Sequence, residues 1–163
     1  MDKNILIIID MQGDFWASKH KPTQHNILTE IKKARFHKDF IVVLEYGGYG
    51  ATHKNIMQAV ATNYKNWKLL FKYDDDGSDV VAEYLNKAQI NPINFRVCGV
   101  NASYCVKRTA AGLSVIYQSA KIEVVKKACW CIRENPWDDY YDTWVGGKYG
   151  GTLKKMCANV AVS

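Results

Sequence analysis

At 163 residues, 48% hydrophobic and 23% charged, with 11 Gly and only 3 Pro, the chain can close one sizeable core, which excludes a disordered or fibrous protein and favours a single domain over residues 1–163. Its 22 basic against 16 acidic side chains, net +6, would suit an anionic partner, but no nucleic-acid motif or basic-aromatic alternation accompanies them, so nucleic acid is not expected as a partner. The five cysteines (Cys98, Cys105, Cys129, Cys131, Cys157) lack the paired spacing of a zinc ribbon or a secreted disulfide scaffold, and a reducing, cytoplasmic setting is expected.

The first predicted element is a strand over 4–10, "NILIIID", whose apolar run is broken by Asp10 and is too short for a signal segment or a membrane span. A helix follows over about 23–37, with Ile27, Leu28, Ile31 and Ala34 at helical spacing facing inward and Lys32, Lys33, Arg35, His37 and Lys38 forming its solvated side. Strands are expected at 39–46 ("DFIVVLEY") and, more weakly, at 68–72 ("KLLFK"), then a helix over 78–89 and a strand at 94–99 ("NFRVCG"). A helix over 104–119, a strand at 121–125, a helix within 138–157 and a strand at 159–162 complete the pattern. Unalternating Ile/Val runs separated by helices describe a parallel sheet covered on both faces, hence the α/β class.

In such sheets ligands gather beyond the carboxyl ends of the strands. Asp10, Lys72 and Cys105 fall at those ends. Cys98, inside an apolar run, reads as core, and the Cys129/Cys131 pair as buried inert thiols. Cys105 follows the turn "GVNAS" and opens a helix, where unpaired N–H groups and the helix dipole favour thiolate and could hold an oxyanion. The four histidines all come early, which makes a Cys-His pairing unpromising. Asp10, at the dry rim of its strand, needs a cation, and Lys72 offers one that would also steady a thiolate.

Four blocks in order, "ILIIIDMQGDF", "LLFKYDDDGSDV", "CGVNASYCVKRTA" and "VVKKAC", resemble the signatures of the isochorismatase-like cysteine hydrolases, among them nicotinamidases and carbamoyl-amide hydrolases. The resemblance implies a single-domain three-layer α/β/α sandwich with a six-stranded parallel sheet in the order 3-2-1-4-5-6. It further implies a catalytic triad of Asp10, Lys72 and Cys105 and a cis peptide between Val100 and Asn101. The oxyanion hole would be the N–H groups of Asn101 and Cys105. The implied reaction is cleavage of a small amide or carbamoyl C–N bond through a thioester, with a dimer or tetramer built on the aromatic tail "NPWDDYYDTWVGGKYGG".

The pattern departs from the family at the second strand, where "LEYGGYGATHKN" holds no Asp-x-His metal motif; Glu45 and His53 match no ligand spacing, so neither metal nor cofactor is expected. Ala102 and Ser103 also differ from the family's usual turn. Among the aromatics near these blocks (Phe15, Trp16, Tyr46, Tyr104, Trp130), Phe15 and Tyr104 are the expected substrate contacts. The alternatives are isochorismate-type vinyl-ether hydrolysis, which would not need Cys105, and a non-catalytic binding protein that keeps the fold.

Overall fold

The computed structural model describes residues 1–131, 143–144, 151–152 and 159–163. Its central strand is β1 (Asp2–Ile9), in which Ile5 to Ile9 are all at most 1% exposed. No polar residue alternates with them because both faces of the strand are covered. β2 (Phe40–Tyr46) pairs in parallel on one side of β1 and β4 (Asn91–Val100) on the other. β3 (Trp67–Lys72) flanks β2, β5 (Lys121–Trp130) flanks β4, and β8 (Val160–Val162) closes the far edge. The six parallel strands thus run β3-β2-β1-β4-β5-β8, the expected order.

Helices α1 (Lys21–Phe36) and α2 (Lys54–Ala61) pack against each other, as do α3 (Ser78–Lys87) and α4 (Lys107–Ile116), making two helical layers around the sheet. α1 inserts Ile27, Ile31 and Ala34, leaves Lys32 and Lys33 in solvent, and anchors to the sheet through buried Glu30, which is ion-paired with Arg96 of β4 and Lys33. α4 approaches α3 closely at Gly112, where a Cβ would lie 2.1 Å from Ser78 Oγ.

Two expectations are corrected. The region 138–157 is described only at β6 (Thr143–Trp144) and β7 (Gly151–Thr152), which pair antiparallel, not as helix. Thr and Trp favour strand, and the intervening "VGGKYG" is poor in helix formers. The rest of that region, with Cys157 and most of the expected oligomer surface, lies outside the described residues. The peptide between Val100 and Asn101 is trans. Here the chain turns instead through Gly99 at φ 134° and Asn101 at φ 57°, the second a left-handed conformation that Asn tolerates better than most side chains. α2 was not anticipated, since in eight residues it buries only Ile56 and Val60.

Gly99 lies hard against the central strand, for a Cβ there would sit 2.1 Å from the Ile9 carbonyl oxygen and 2.7 Å from its nitrogen. Backbone of the central strand cannot yield as a side chain would. Gly99→Ala is expected to destabilise the protein by about 3 kcal/mol or more, read as a lowered urea midpoint at unchanged m-value.

Candidate active site

Three strand ends assemble the site. Asp10 leaves β1 in the left-handed region (φ 55°), fully buried, with its N–H bonded to the Leu44 carbonyl at 3.0 Å. Asn101 leaves the neighbouring β4 in the same unusual conformation, and its Nδ2 donates to Asp10 Oδ2 at 3.2 Å. Lys72 ends β3, two strands from β1, opposite Tyr46. At about 4.8 Å per strand, roughly 10 Å must be bridged. The long lysine chain does this by crossing the Tyr46 ring, with Nζ 4.2 Å from its centroid, to reach Asp10 Oδ1 at 3.3 Å.

Cys105 comes from a π-helical turn (Ala102–Val106) that runs into α4. Its Sγ accepts from Lys72 Nζ at 3.3 Å and lies 3.7 Å from Asp75 Oδ1. Lys72 also donates to the Asp74 carbonyl at 3.1 Å, so the ammonium is held by a backbone oxygen, the Asp10 carboxylate and the sulfur. Asp10, Lys72 and Cys105 are 0%, 1% and 3% exposed, so these interactions act in a dry, weakly screened environment.

Electrostatics correct one expectation from the sequence. The Cys105 thiol is not poised as thiolate: burial drives its pKa far above the ordinary value, the Asp10 charge adds to this, and Lys72 only partly offsets it. Asp10 is likewise raised above its usual carboxylate value, by burial first, against the lowering influence of Lys72 and of hydrogen bonds from Cys105 and Asn101. Two acids with raised pKa values side by side favour a resting thiol next to a carboxylate that can accept its proton. Cys98 and Cys129 are buried thiols, as expected, and burial lifts Cys98 well above its ordinary value and Cys129 to about 12; Cys131, expected to be buried with Cys129, is only half-buried and accepts from Ser103 Oγ at 3.4 Å.

A cavity of about 310 Å³ opens over the sulfur, lined by Phe15, Tyr46, Tyr49, Asp75, Asn101, Tyr104 and Cys105. Phe15 and Tyr104 therefore stand at the hollow, while Trp16 and Trp130 pack against each other away from it, at 5.5 Å between centroids. Sequence reading missed three contributors. Asp75 was hidden in the run "DDD", whose members differ only by how the turn aims them. Tyr49, stacked on Phe15 at 4.6 Å and edge-on to Tyr46 at 5.2 Å, sits in a glycine-rich loop without periodicity. Gln12 is fully buried and fixes that loop: Nε2 donates to the Tyr46 and Gly50 carbonyls at 2.9 and 2.7 Å, and Oε1 accepts from the Tyr46 N–H at 2.6 Å.

Glu45 and His53 are each engaged elsewhere. Glu45 Oε1 accepts from the Thr52 N–H at 2.7 Å, and His53 Nε2 contacts Ser18 Oγ at 2.7 Å. That hydroxyl lies 2.6 Å from the Gln12 carbonyl and 2.8 Å from that of Phe15, so its proton is committed and the imidazole donates through Nε2. Among the described residues no group of three His, Cys, Asp or Glu is placed to hold a metal ion, and no helix is long and apolar enough to cross a membrane.

No protein-family model matches the sequence, and comparison with curated proteins finds no match. Solved structures do match. A ribonuclease from Caenorhabditis elegans superposes with a TM-score of 0.67 at 20% identity over 79% of this chain, which spans 65% of the ribonuclease. A nicotinamidase from Staphylococcus aureus gives 0.67 at 18% identity over 82% of this chain and 88% of its own. An N-carbamoylsarcosine amidase from Thermoplasma acidophilum gives 0.66 at 17% over 99% and 95%. The chain has the fold of the isochorismatase-like hydrolases and their nicotinamidase and amidase relatives.

Lys72→Met removes the cation and keeps the volume, leaving the Asp10 carboxylate buried without a counter-charge. At neutral pH the expected loss is about 3–5 kcal/mol. The sign of its pH dependence follows from Asp10, whose raised pKa rises further without Lys72. The protonated form suits the folded state, so the loss is smallest below the unfolded carboxyl value and grows as pH climbs through the folded one. Urea denaturation at pH 5 and pH 8 measures it. Asp10→Asn removes the carboxylate that accepts the thiol's proton, while burial, the larger cause of the raised thiol pKa, stays in place. Alkylation of Cys105 by iodoacetamide at pH 8 is therefore expected to slow several-fold relative to wild type, followed by peptide mass spectrometry with Cys105→Ser as blank.

Proposed function

We propose that this chain is a cysteine hydrolase of the isochorismatase-like family that cleaves the C–N bond of a small amide or carbamoyl compound. One observation carries the reading: Asp10, Lys72 and Cys105, far apart in sequence, meet in a buried cluster whose sulfur lines a cavity large enough for a small molecule. The nicotinamidase and amidase among the structural neighbours are consistent with it.

In this reading Asp10 takes the thiol proton as Cys105 attacks the carbonyl carbon. The tetrahedral oxyanion is held by the N–H groups of Asn101 and Cys105, and Asp10 returns the proton to the departing ammonia or amine. Water, deprotonated by Asp10, then attacks the thioester carbonyl; the acid leaves and the sulfur recovers its proton. Lys72 offsets the charge that alternates between carboxylate and sulfur. Asn101 has two duties, since its side chain orients Asp10 while its N–H faces the developing oxyanion. The resting thiol suits this scheme, because proton transfer and attack occur together and a free thiolate need not accumulate.

Ammonia release from a panel of small amides, carbamoyl compounds and a pyridine carboxamide tests the proposal. At least one should be hydrolysed, with Cys105→Ala lowering kcat/KM by about a thousand-fold or more. The acid limb of kcat/KM should titrate above the ordinary carboxylate value, as the raised Asp10 pKa requires, with activity lost as pH falls through it. Turnover that survives Cys105→Ala, or a panel that yields no ammonia at all, would count against the hydrolase and favour a binding protein on the same fold.

A further inference from the structure

Among the described residues, the cavity above Cys105 is lined by four aromatic rings and one charged side chain, the Asp75 carboxylate. Two neighbouring cations do not line it: Lys72 lies behind the sulfur at 1% exposure, and Arg108 grips Asp75 Oδ2 at 3.0 Å. Asp75 Oδ1 instead points to the side of the sulfur, at 3.7 Å. We infer that the substrate of this site carries a compact organic cation of alkylammonium type, seated between Asp75 and the rings while its amide carbonyl meets Cys105. The inference rests on the hydrolase reading for the carbonyl half and on the cavity alone for the cationic half.

Three physical points support it. The alkyl tail of a neutral amide, lying beside Asp75 while the amide meets Cys105, would strip water from Oδ1 and offer no donor in return, a cost that grows as the pocket dries. An anion would meet the carboxylate directly. A cation gains from both walls, because aromatic faces attract positive charge and the attraction strengthens on desolvation. Tyr49 and Tyr104, 45% and 38% exposed, are large apolar surfaces that such a ligand would cover. The position of Asp75 also has a chemical cost, since its charge adds to those opposing ionisation of Cys105. A carboxylate beside a nucleophilic sulfur that hinders its deprotonation is accounted for when the same charge captures substrate. The short distance from Oδ1 to Sγ sets the substrate's length, placing the cationic centre about one or two carbon atoms from the reacting carbonyl.

Betaine amide and tert-butylacetamide are near-isosteric probes that differ in the charge of the quaternary centre. In the Cys105→Ala protein, calorimetry should show betaine amide binding at least about ten-fold tighter than the neutral probe. Adding Asp75→Asn should cut that preference to about two-fold or less, and Tyr49→Leu, which leaves the carboxylate in place, should reduce it several-fold. In the wild-type enzyme the preference should reappear in kcat/KM for ammonia release. Equal binding of the two probes, binding of neither, or a preference untouched by both substitutions overturns the inference. Ammonia from both probes at similar kcat/KM sinks the cationic substrate and leaves the hydrolase intact. A charge preference in binding, with no amide of any kind hydrolysed, sinks the hydrolase and upholds the cation site.

Discussion

A carboxylate with no exposure to water sits at the end of five successive isoleucine and leucine side chains. That is the constraint on which the site depends. An isolated charge so placed would cost several kcal/mol or take up a proton. Lys72 arrives from two strands away to meet it, and only a side chain of that length could do so over the intervening Tyr46. The ion pair in turn fixes where sulfur can lie, because the ammonium that neutralises Asp10 also donates to Cys105.

Backbone conformation completes the arrangement. Asp10 and Asn101 both take left-handed φ values at the ends of adjacent strands, each at a cost of roughly 1 kcal/mol or more for a residue other than glycine. Their side chains join at 3.2 Å, which ties two locally unfavourable turns to one favourable contact. Gly99, one step before Val100, lets β4 lie against the Ile9 backbone so that the turn begins close enough for that contact. On β5 the register jumps from Val97 against Val124 to Gly99 against Cys129, and this irregularity carries Trp130 to its stacking partner His20 at 4.7 Å.

Much of the framework was legible because buried parallel strands leave a plain trace: Ile5 to Ile9 and Phe40 to Leu44 have no polar interruption. β3 was fainter because it is an edge strand, with Lys68 and Phe71 in solvent. The positions of Asp10, Lys72 and Cys105 could be read from strand ends, but their ionisation could not, since burial decides it and burial depends on what folds over them. The helix-start argument for a thiolate could not include what folding adds, since burial first and the Asp10 charge second raise the Cys105 pKa. Asp75, Tyr49 and Gln12 left no trace because their roles come from the path of turns, where side-chain direction is set by single φ and ψ values and follows no period.

The Gln12 amide holds strand end and loop together on both its oxygen and its nitrogen. Swinging loop 46–50 outward would break three short hydrogen bonds around a side chain that water does not reach, so the side of the hollow that carries Tyr46 and Tyr49 is held before a ligand arrives. A ligand meeting that side has little ordering of the loop to offset on binding.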